Sequence, residues 1–397
     1  MKHLFFISSL VPDNEKYWNP AFNRSGNNVL EGIAESIPPS VELELVGLRP
    51  IASFPHDKLW LNSSKETLFS NRCLSLWPVF NLKIVKDIFW GLLCFNKIRK
   101  WRAQVKGETA HLLMYNIYSP FFPFIYWACR LNKIQIYVIL YDLGVPPKRL
   151  HLGGATMTAY KLYEYIAKHY IPKIDGRIII NEKIIDYYAP GKDYLLIDGG
   201  VNNAVVNRLF PLKLSTTNDY VFVCAGMLWD QNGTRLILDA MKLIKAHNIR
   251  IFFAGRGNDV PLIEQASKND ARIIYLGMLS MDQLFGVYEN ADVLLNLRIE
   301  EKRDFHFPSK LLEYMATGKT VVSTPIAHAE RDYGDYIEIL RDVTGKGLAS
   351  LILKISKTPK DLLLEKGRCT RNFIVSKRTW SYRTAEILKY MEKDEQN

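Results

Sequence analysis

Short apolar runs alternate with amphipathic stretches along most of the chain. The apolar runs predict buried strands at residues 2–10, 41–48, 111–117, 135–144, 176–182, 194–202, 220–226, 249–255, 272–277, 292–297 and 320–324. The amphipathic stretches predict helices at residues 29–37, 83–106, 123–131, 159–171, 235–247, 260–268, 281–291, 308–317 and 378–393. Strands that are apolar throughout and joined by helices are typical of parallel sheets with right-handed connections. The pattern therefore predicts an α/β protein.

The alternation is interrupted once, by a polar stretch at residues 202–219 that lacks a clear period and contains a proline. A chain of 397 residues also exceeds the size at which one core stops growing. We therefore expect two domains of similar size, each doubly wound. The predicted division is 1–206 for the N-terminal domain and 207–377 for the C-terminal domain, with the helix of 378–397 packing back on the N-terminal domain.

The helix predicted at 308–317 has an unusual polar face. Pro308 suits a first helical turn, and Gly318 suits the left-handed residue that follows a helix. At 100° per residue, one stripe is apolar, comprising Leu311, Leu312, Met315 and Ala316. The opposite face carries Lys310, Glu313 and Thr317. A helix start in a parallel sheet suits a phosphate, although Lys310 and Glu313 are equally consistent with a solvated surface pair.

Composition narrows the chemistry. The five cysteines include no CxxC pair, which argues against a disulfide framework or a structural zinc site, and no run of 18 apolar residues occurs. The N-terminal apolar run is too short for a secretory signal, so we expect it to be a first strand that the protein keeps.

The formal net charge of +11 is uneven, because residues 83–106 carry seven Lys or Arg against one acid, Asp87. Aromatic and aliphatic residues are interleaved with these charges: Phe89, Trp90, Leu92, Leu93, Phe95 and Trp101. This mixture is typical of a helix on an anionic membrane surface, and an ordinary sheet-covering helix with a solvated basic face explains it equally well. No nucleic-acid motif accompanies the charge.

Four segments of the second half resemble family 4 glycosyltransferases. They are CAGMLWDQNGTRLILDAM (224–241), FFAGRGND (252–259), IIYLGMLSMDQLFGVYENADVLLNLR (273–298) and FPSKLLEYMATGKTVVST (307–324). Residues 174–203 resemble the end of the same family's N-terminal domain. The resemblance implies a retaining enzyme of GT-B architecture, with two doubly wound Rossmann-like domains facing across a cleft. It also implies a nucleotide-sugar donor held by the C-terminal domain and an acceptor held by the N-terminal one.

The resemblance assigns roles to individual positions. Glu313 matches the glutamate that accepts hydrogen bonds from the ribose, and the helix start at Pro308, Ser309 and Lys310 matches the diphosphate site. Further donor-binding positions are Gly226, Met227, Asn232, Arg256, Leu276 and Met278 in the C-terminal domain, with Gly26 and Asn27 beside Arg24 and Ser25 in the first N-terminal loop. The candidate catalytic set is Lys310, Glu313, Arg298, Tyr141 and Asp142.

Three positions depart from the family pattern. Met227 and Asn232 stand where many members carry an arginine and a lysine, and Phe305 stands where a second glutamate is common. Arg298 could replace a missing cation or could be a surface arginine at a strand end. Tyr141 and Asp142 could line the cleft or simply end a strand, and the acids Glu300, Glu301 and Asp304 could reach the sugar or form a solvated charge run.

The resulting prediction is a retaining, metal-independent transfer of a sugar from a UDP- or GDP-sugar to a glycan or lipid-linked glycan. The chain contains no Asp-x-Asp motif, so no metal and no cofactor is expected. The departing phosphate itself would help to deprotonate the acceptor. The expected location is the cytoplasm, with peripheral contact to the inner face of an anionic membrane, and no nucleic-acid partner. Two alternatives stay open, a GT-B-like partner subunit without catalysis and an epimerase on the same fold.

Overall fold

The computed structural model describes residues 1–68, 71–83, 85–105, 109–117, 121–141, 143, 154–208, 219–299 and 305–393. The chain forms two compact units. The first unit comprises residues 1–200 and 380–397, and the second comprises residues 201–379. The sequence placed the divisions at 206/207 and 377/378. The helix Asn203–Asn207 contacts the helix Ser309–Ala316 of the second unit. The first unit therefore ends at residue 200, six residues before the predicted boundary.

Ten strands occur among the described residues of the first unit. They are β1 (His3–Ser8), β2 (Glu42–Gly47), β3 (Trp60–Leu61), β4 (Ser64–Thr67), β5 (Cys73–Leu76), β6 (Val79–Phe80), β7 (Ala110–Tyr115), β8 (Gln135–Leu140), β9 (Gly176–Ile179) and β10 (Leu195–Leu196). Eight form one sheet in the order β10-β9-β8-β7-β1-β2-β5-β4, parallel except for β4. β3 and β6 form a separate antiparallel ribbon. The central strands β1 and β7 are buried along their whole length, as expected for strands covered on both faces.

The helices of the first unit connect these strands. They are α1 (Arg24–Ser36), α2 (Val85–Gln104), α3 (Phe122–Leu131), α4 (Gly154–Tyr170) and α5 (Lys183–Tyr188), with a 3₁₀ turn at Ile171–Lys173. No helix in the described part of the chain is long and apolar enough to cross a bilayer.

The second unit contains a six-stranded parallel sheet in the order β13-β12-β11-β14-β15-β16, counted over its described residues. Its strands are β11 (Tyr220–Met227), β12 (Ile249–Arg256), β13 (Ile273–Tyr275), β14 (Val293–Asn296), β15 (Thr320–Ser323) and β16 (Glu338–Ile339). Its helices are α6 (Asn203–Asn207), α7 (Thr234–Leu243), α8 (Val260–Asn269), α9 (Met281–Glu289), α10 (Ser309–Ala316), α11 (Ala329–Tyr333), α12 (Gly345–Ile355) and α13 (Lys360–Lys377). A 3₁₀ turn spans Asp230–Asn232.

The last helix, α14 (Trp380–Glu392), belongs to the first unit. Trp380 packs where two glycines leave room, because an added Cβ would lie 2.1 Å from its ring at Gly32 and 2.5 Å from it at Gly200. Arg383 forms a buried ion pair with Asp198. A buried pair of this kind is costly to break from one side, since the remaining charge would have no partner. These contacts attach α14 to the residues around α1 and β10.

Candidate functional site

The order of connections reverses in the middle of the second sheet. β11 pairs with β12 on one side and with β14 on the other. The chain runs outward from β11 through β12 and β13 and then returns to β14, so the loops diverge at the carboxyl ends of β11 and β14. Open parallel sheets bind their ligands at such a switch point.

Two glycines bring the backbone close together at this point. Gly226 is the last residue but one of β11, with φ +121°, and its register partner Gly255 is the last residue but one of β12, with φ +130°. A Cβ at Gly255 would lie 1.9 Å from the carbonyl oxygen of Gly226. At both positions the backbone conformation favours glycine, and another atom lies where a side chain would be. The absence of side chains leaves room for a neighbouring group at the ends of these strands.

That neighbouring group is Lys310, in the first turn of α10. Its Nζ donates a 3.1 Å hydrogen bond to the carbonyl of Ala225, and a Cβ at Gly226 would lie 2.9 Å from the same Nζ. Lys310 is only half-buried. The structure therefore places one cation over the end of β11, at the start of a helix whose dipole also favours an anion.

The helix α10 agrees with its predicted apolar face. Leu311, Leu312, Met315 and Ala316 are all buried, and Gly318 has φ +78° just after the helix. Pro308 precedes the helix as its N-cap, one position earlier than predicted, and α10 has eight residues, about two turns.

Thr317 is a correction to the predicted polar face, because it is fully buried. It follows the last helical residue and donates from its hydroxyl to the Tyr314 carbonyl, 2.7 Å away, as the chain turns into β15. The polar face of α10 is thus limited to its first turn and to Glu313.

Glu313 is half-buried and has an aromatic neighbour that the sequence did not reveal. The Tyr288 hydroxyl lies 3.5 Å from Glu313 Oε1, and the rings of Tyr288 and Tyr314 are in edge-to-face contact at 5.4 Å. Burial, followed by the neighbouring Tyr314 and Glu313, raises the pKa of Tyr288 well above its ordinary value. The phenol therefore stays protonated and can donate to the carboxylate, although at 3.5 Å this contact is long for a hydrogen bond.

Tyr314 has a similar supporting role for β11. Its hydroxyl accepts from the Ala225 backbone N–H at 3.0 Å and lies 3.2 Å from the Ala225 carbonyl oxygen. Burial is the main cause that raises the pKa of Tyr314 well above the ordinary range. Lys310 and Tyr314 are one turn apart on α10, so both attach the helix to the same residue of β11. In the sequence, Tyr314 follows the FPSK segment closely, whereas Tyr288 belongs to the preceding segment and no local pattern links it to Glu313.

The loop after β11 contains the two departures from the family pattern. Met227 is exposed, and the Asn232 side-chain amide donates to the Met227 carbonyl at 2.7 Å. Asn232 therefore holds the turn that leads to Gly233, which has φ +79°. The loop presents an apolar side chain and a backbone-bound amide where the resemblance implies two cations.

The other predicted residues of the second unit lie along the same edge of its sheet. Arg256 is exposed and in register with Met227. Leu276 and Met278 follow β13, where the Leu276 N–H donates to the Phe253 carbonyl at 2.8 Å, and Met278 is 65% exposed. Arg298 follows β14 and is partly buried. Because these strands are parallel, their carboxyl ends share one edge, which also includes Pro308 and Ser309.

Phe305 is buried at 5% exposure, so this departure from the family glutamate is a packing residue in the segment before α10. Asp142, Glu300, Glu301 and Asp304 lie outside the described residues.

In the first unit, Gly26 and Asn27 lie in the first turn of α1, where both backbone N–H groups and Asn27 Oδ1 have internal partners, while the buried Asn27 Nδ2 has none among the described residues. The Gly26 N–H donates to the Asn23 side chain at 3.1 Å, and the Asn27 N–H donates to the Asn23 carbonyl at 2.9 Å. Asn27 Oδ1 accepts from the Val11 N–H at 3.0 Å. Arg24 pairs with Asp13 at 2.8 Å. These contacts fix the loop between β1 and α1.

Tyr141 is 3% exposed, and its hydroxyl donates to the Ile197 carbonyl at 2.5 Å. Burial raises the pKa of Tyr141 well above its ordinary value. The side chain therefore joins the end of β8 to the segment after β10, in agreement with the structural alternative for this residue.

Comparisons with known proteins concern the family of the second unit and the fold of the chain. The sequence model of the family described as Glycosyl transferases group 1 matches residues 219–354. No curated protein matches the sequence. Among solved structures, the chain is similar to Anabaena HepE in complex with UDP, at 13% identity and a TM-score of 0.64, covering 99% of this chain and 100% of that one.

Two further structures are similar over nearly the whole chain. The sucrose-phosphate synthase of Thermosynechococcus elongatus has 13% identity and a TM-score of 0.64, with 99% of both chains covered. A UDP-forming α,α-trehalose-phosphate synthase from Burkholderia xenovorans, in complex with glucose-6-phosphate, has 9% identity and a TM-score of 0.63, covering 98% of this chain and 99% of that one. At these identities the likeness concerns the fold.

The matched family segment contains the switch point, Lys310 and Glu313. The chain thus has the α/β fold of GT-B glycosyltransferases, and its second unit is similar to a group 1 glycosyltransferase domain, which supports a transferase enzyme.

Proposed function

We propose that the protein is a retaining glycosyltransferase that moves a sugar from a nucleotide-sugar to a glycan or lipid-linked glycan. The observation that carries the proposal is the pairing of Lys310 with the end of β11, one turn before Glu313 on the same helix. A cation and a helix start suit a diphosphate, and a carboxylate one turn later suits the two hydroxyls of a ribose. The proposed seat of the nucleotide is therefore the start of α10.

The leaving group of such a transfer is a nucleoside diphosphate, whose negative charge grows as the glycosidic bond to phosphate breaks. Lys310, the α10 dipole and the nearby Arg256 and Arg298 supply positive potential for that charge. The proposal needs no metal ion and no cofactor. In the retaining course, the departing phosphate takes the proton of the attacking acceptor hydroxyl.

UDP-sugars are the first donors to test. The HepE structure contains UDP, and the Burkholderia enzyme is described as UDP-forming, which makes a uridine donor the leading choice for this chain. The exposed loop at Leu276 and Met278 is the proposed neighbour of the base. GDP-sugars stay in the proposal because the side chains of this loop do not themselves distinguish the two bases.

We propose that the acceptor is held by the first unit and belongs to bacterial polysaccharide synthesis. A lipid-linked glycan at the inner face of the membrane would explain the uneven positive charge of residues 83–106. Peripheral attachment from the cytoplasm is accordingly part of the proposal.

The decisive experiment is a thermal-shift screen of the purified protein against UDP, GDP, ADP and their common sugar conjugates. One nucleotide should raise the melting temperature, and titration calorimetry should show that Glu313→Ala weakens its binding by about 1.5–3 kcal/mol, the range for hydrogen bonds to a charged group. Glu264→Ala is the matched control, because Glu264 is an exposed carboxylate on α8. Equal affinity of wild type and Glu313→Ala would remove Glu313 from the site.

A second candidate function is a partner subunit that keeps the fold but lacks catalysis. Met227, the backbone-bound Asn232 and the buried Phe305 favour it, since each replaces a charged residue implied by the resemblance. Sugar transfer by the purified chain alone would exclude this candidate. Absence of stabilisation by every nucleotide in the screen would favour it over the enzyme.

A further inference from the structure

Exposed apolar side chains are concentrated on one part of the first unit. Among the described residues, 23 large hydrophobic side chains are exposed, and eleven of them lie between Phe54 and Trp60 or on α2, α3 and α4. These eleven are Phe54, Leu59, Trp60, Val85, Ile88, Leu92, Trp127, Leu131, Met157, Leu162 and Tyr165. We call them the apolar face. Single exposed hydrophobic residues are normal, but a contiguous group marks an interaction surface.

The three helices of this face lie on the same side of the sheet. They connect β5 to β7, β7 to β8 and β8 to β9, always in the same direction across the sheet. Right-handed connections place such helices together on one face. α2 and α3 touch directly, because a Cβ at Gly91 would lie 2.5 Å from the Phe124 ring and Arg102 donates to the Asn132 carbonyl at 3.3 Å.

The short ribbon β3–β6 extends the face at the start of α2. The Trp60 ring is in edge-to-face contact with Phe89 of α2, with ring centres 5.8 Å apart. The buried Asn81 holds the preceding loop, because its side-chain amide donates to the carbonyls of Ala52 at 2.8 Å and Lys58 at 3.1 Å. Phe54 and Leu59 are therefore presented by a loop tied to this ribbon.

The structure also changes which residues of α2 can meet a partner. Trp90 is 7% exposed, and the partly buried Trp101 packs against Phe5 of β1 with ring centres 5.1 Å apart, so these two aromatic residues face the sheet. The exposed stripe is instead Val85, Ile88 and Leu92, at helical spacing and 43–51% exposed.

The three helices of the apolar face carry more basic than acidic residues. α2, α3 and α4 together contain eight Lys or Arg (Lys86, Lys97, Arg99, Lys100, Arg102, Arg130, Lys161, Lys168) and two acids (Asp87, Glu164). Lys97, Arg99 and Lys100 are exposed on the second half of α2. Both acids are already engaged, since Asp87 is half-buried beside Lys86 and Glu164 pairs with Lys168 at 3.1 Å.

We infer that the apolar face docks on an anionic phospholipid bilayer, with Trp60, Ile88 and Leu92 among the side chains that enter the interface. Apolar side chains supply burial, and the exposed Lys and Arg of the same helices are attracted to anionic headgroups. A second copy fits less well, because a symmetric contact would bring two basic surfaces together. The inference specifies which surface makes the membrane contact of the proposed function. It depends on the proposed function only for the biological purpose of that contact.

The test is flotation of the full-length protein with vesicles of phosphatidylcholine, with or without phosphatidylglycerol. We expect binding to the anionic vesicles that weakens as salt is added. Lys97→Gln/Lys100→Gln should weaken binding roughly thirtyfold, since each basic residue near the surface contributes about a factor of five. Ile88→Ser/Leu92→Ser should weaken it roughly tenfold or more through lost apolar burial.

Leu243→Ser/Leu362→Ser is the matched control, because both leucines are more than half exposed on helices of the second unit. It should bind vesicles as the wild type does. Absence of wild-type binding to anionic vesicles, or wild-type binding by both surface variants, would overturn the inference. So would a dimer in light scattering that Ile88→Ser/Leu92→Ser dissociates while vesicles are not bound.

The nucleotide thermal shift, measured on the same preparations, separates this inference from the proposed function. Vesicle binding without any nucleotide effect would support the docking of the apolar face and contradict the proposed transferase. A nucleotide effect without vesicle binding would do the reverse.

Discussion

Lys310 can reach the end of β11 because residue 226 has no side chain. The Ala225 carbonyl accepts from its ammonium group, and the Tyr288 hydroxyl lies 3.5 Å from Glu313 one turn later. Each contact is modest, but together they orient a cation and a carboxylate before any ligand binds. Pre-organised charges of this kind stabilise a developing anion without rearrangement during the reaction. Under the proposed function, Lys310 would contact a phosphate and Glu313 would accept from the ribose hydroxyls.

Met227 offers a direct test of the missing cation. It is 41% exposed at the end of β11, two residues after the carbonyl that holds Lys310. Met227→Arg should tighten nucleoside diphosphate binding about tenfold, equivalent to about 1.5 kcal/mol for an added charged hydrogen bond. Titration calorimetry measures the change. Leu243→Arg adds the same charge to an exposed position at the far end of α7 and should have little effect; equal gains in both variants would indicate general electrostatics instead of a contact.

At the scale of elements, the apolar pattern predicted many of the strands and helices, but it missed α12 and α13, although α13 has 18 residues. β11, β12 and α10 appear where expected because burial on both strand faces and one helix face leaves a clear signal. The ribbon β3–β6 was missed because two-residue strands carry no period. Side-chain direction was also beyond the sequence, since Tyr141 and Thr317 turn inward through hydrogen bonds to the carbonyls of Ile197 and Tyr314.

In the candidate site, too, the sequence predicted neighbours within one helix but not contacts between elements. The sequence placed Lys310 and Glu313 on one helix face, because helical spacing is fixed. It could not place Tyr288 beside Glu313, because that contact joins α9 to α10 across residues far apart in the chain. Nor could it show that the backbone N–H groups of Gly26 and Asn27 already donate to the side chain and the carbonyl of Asn23. Contacts between elements depend on packing, which no local pattern contains.

The end of β11 provides the prediction at this scale. Gly226→Ala puts a methyl group 2.9 Å from Lys310 Nζ and forces alanine into φ +121°. We expect a loss of about 1–3 kcal/mol in the free energy of unfolding and weaker nucleotide binding, because Lys310 must move. Urea unfolding and calorimetry measure the two effects.

Gly286→Ala is the matched control for this variant. Gly286 lies inside α9, where an added Cβ meets nothing within 4 Å. Alanine there should raise the free energy of unfolding by about 0.5–1 kcal/mol through helix propensity and leave nucleotide binding unchanged. Unaltered nucleotide affinity in Gly226→Ala would show that the position of Lys310 does not matter for binding.

At the scale of the whole molecule, the first unit is discontinuous in sequence. It needs α14, which follows the entire second unit in the chain. Trp380 is 4% exposed against Gly32 and Gly200, and Arg383 pairs with Asp198, so α14 completes the first unit's packing. The amphipathic pattern predicted the helix itself. The residues that receive it, Gly32, Gly200 and Asp198, follow no sequence pattern that could have been recognised.

Two units with separate cores should unfold in two calorimetric transitions. The temperature of each transition should respond to changes in its own unit alone. Trp380→Ala should lower the first unit's transition, because removing a buried tryptophan costs about 3–5 kcal/mol. A bound nucleotide should raise only the other transition, since Lys310 and Glu313 both belong to the second unit. Trp127→Ala is the control, as Trp127 is 53% exposed on α3 and its loss should leave both transitions nearly in place. If the nucleotide raised the transition that Trp380→Ala lowers, the assignment of the nucleotide to the second unit would be wrong.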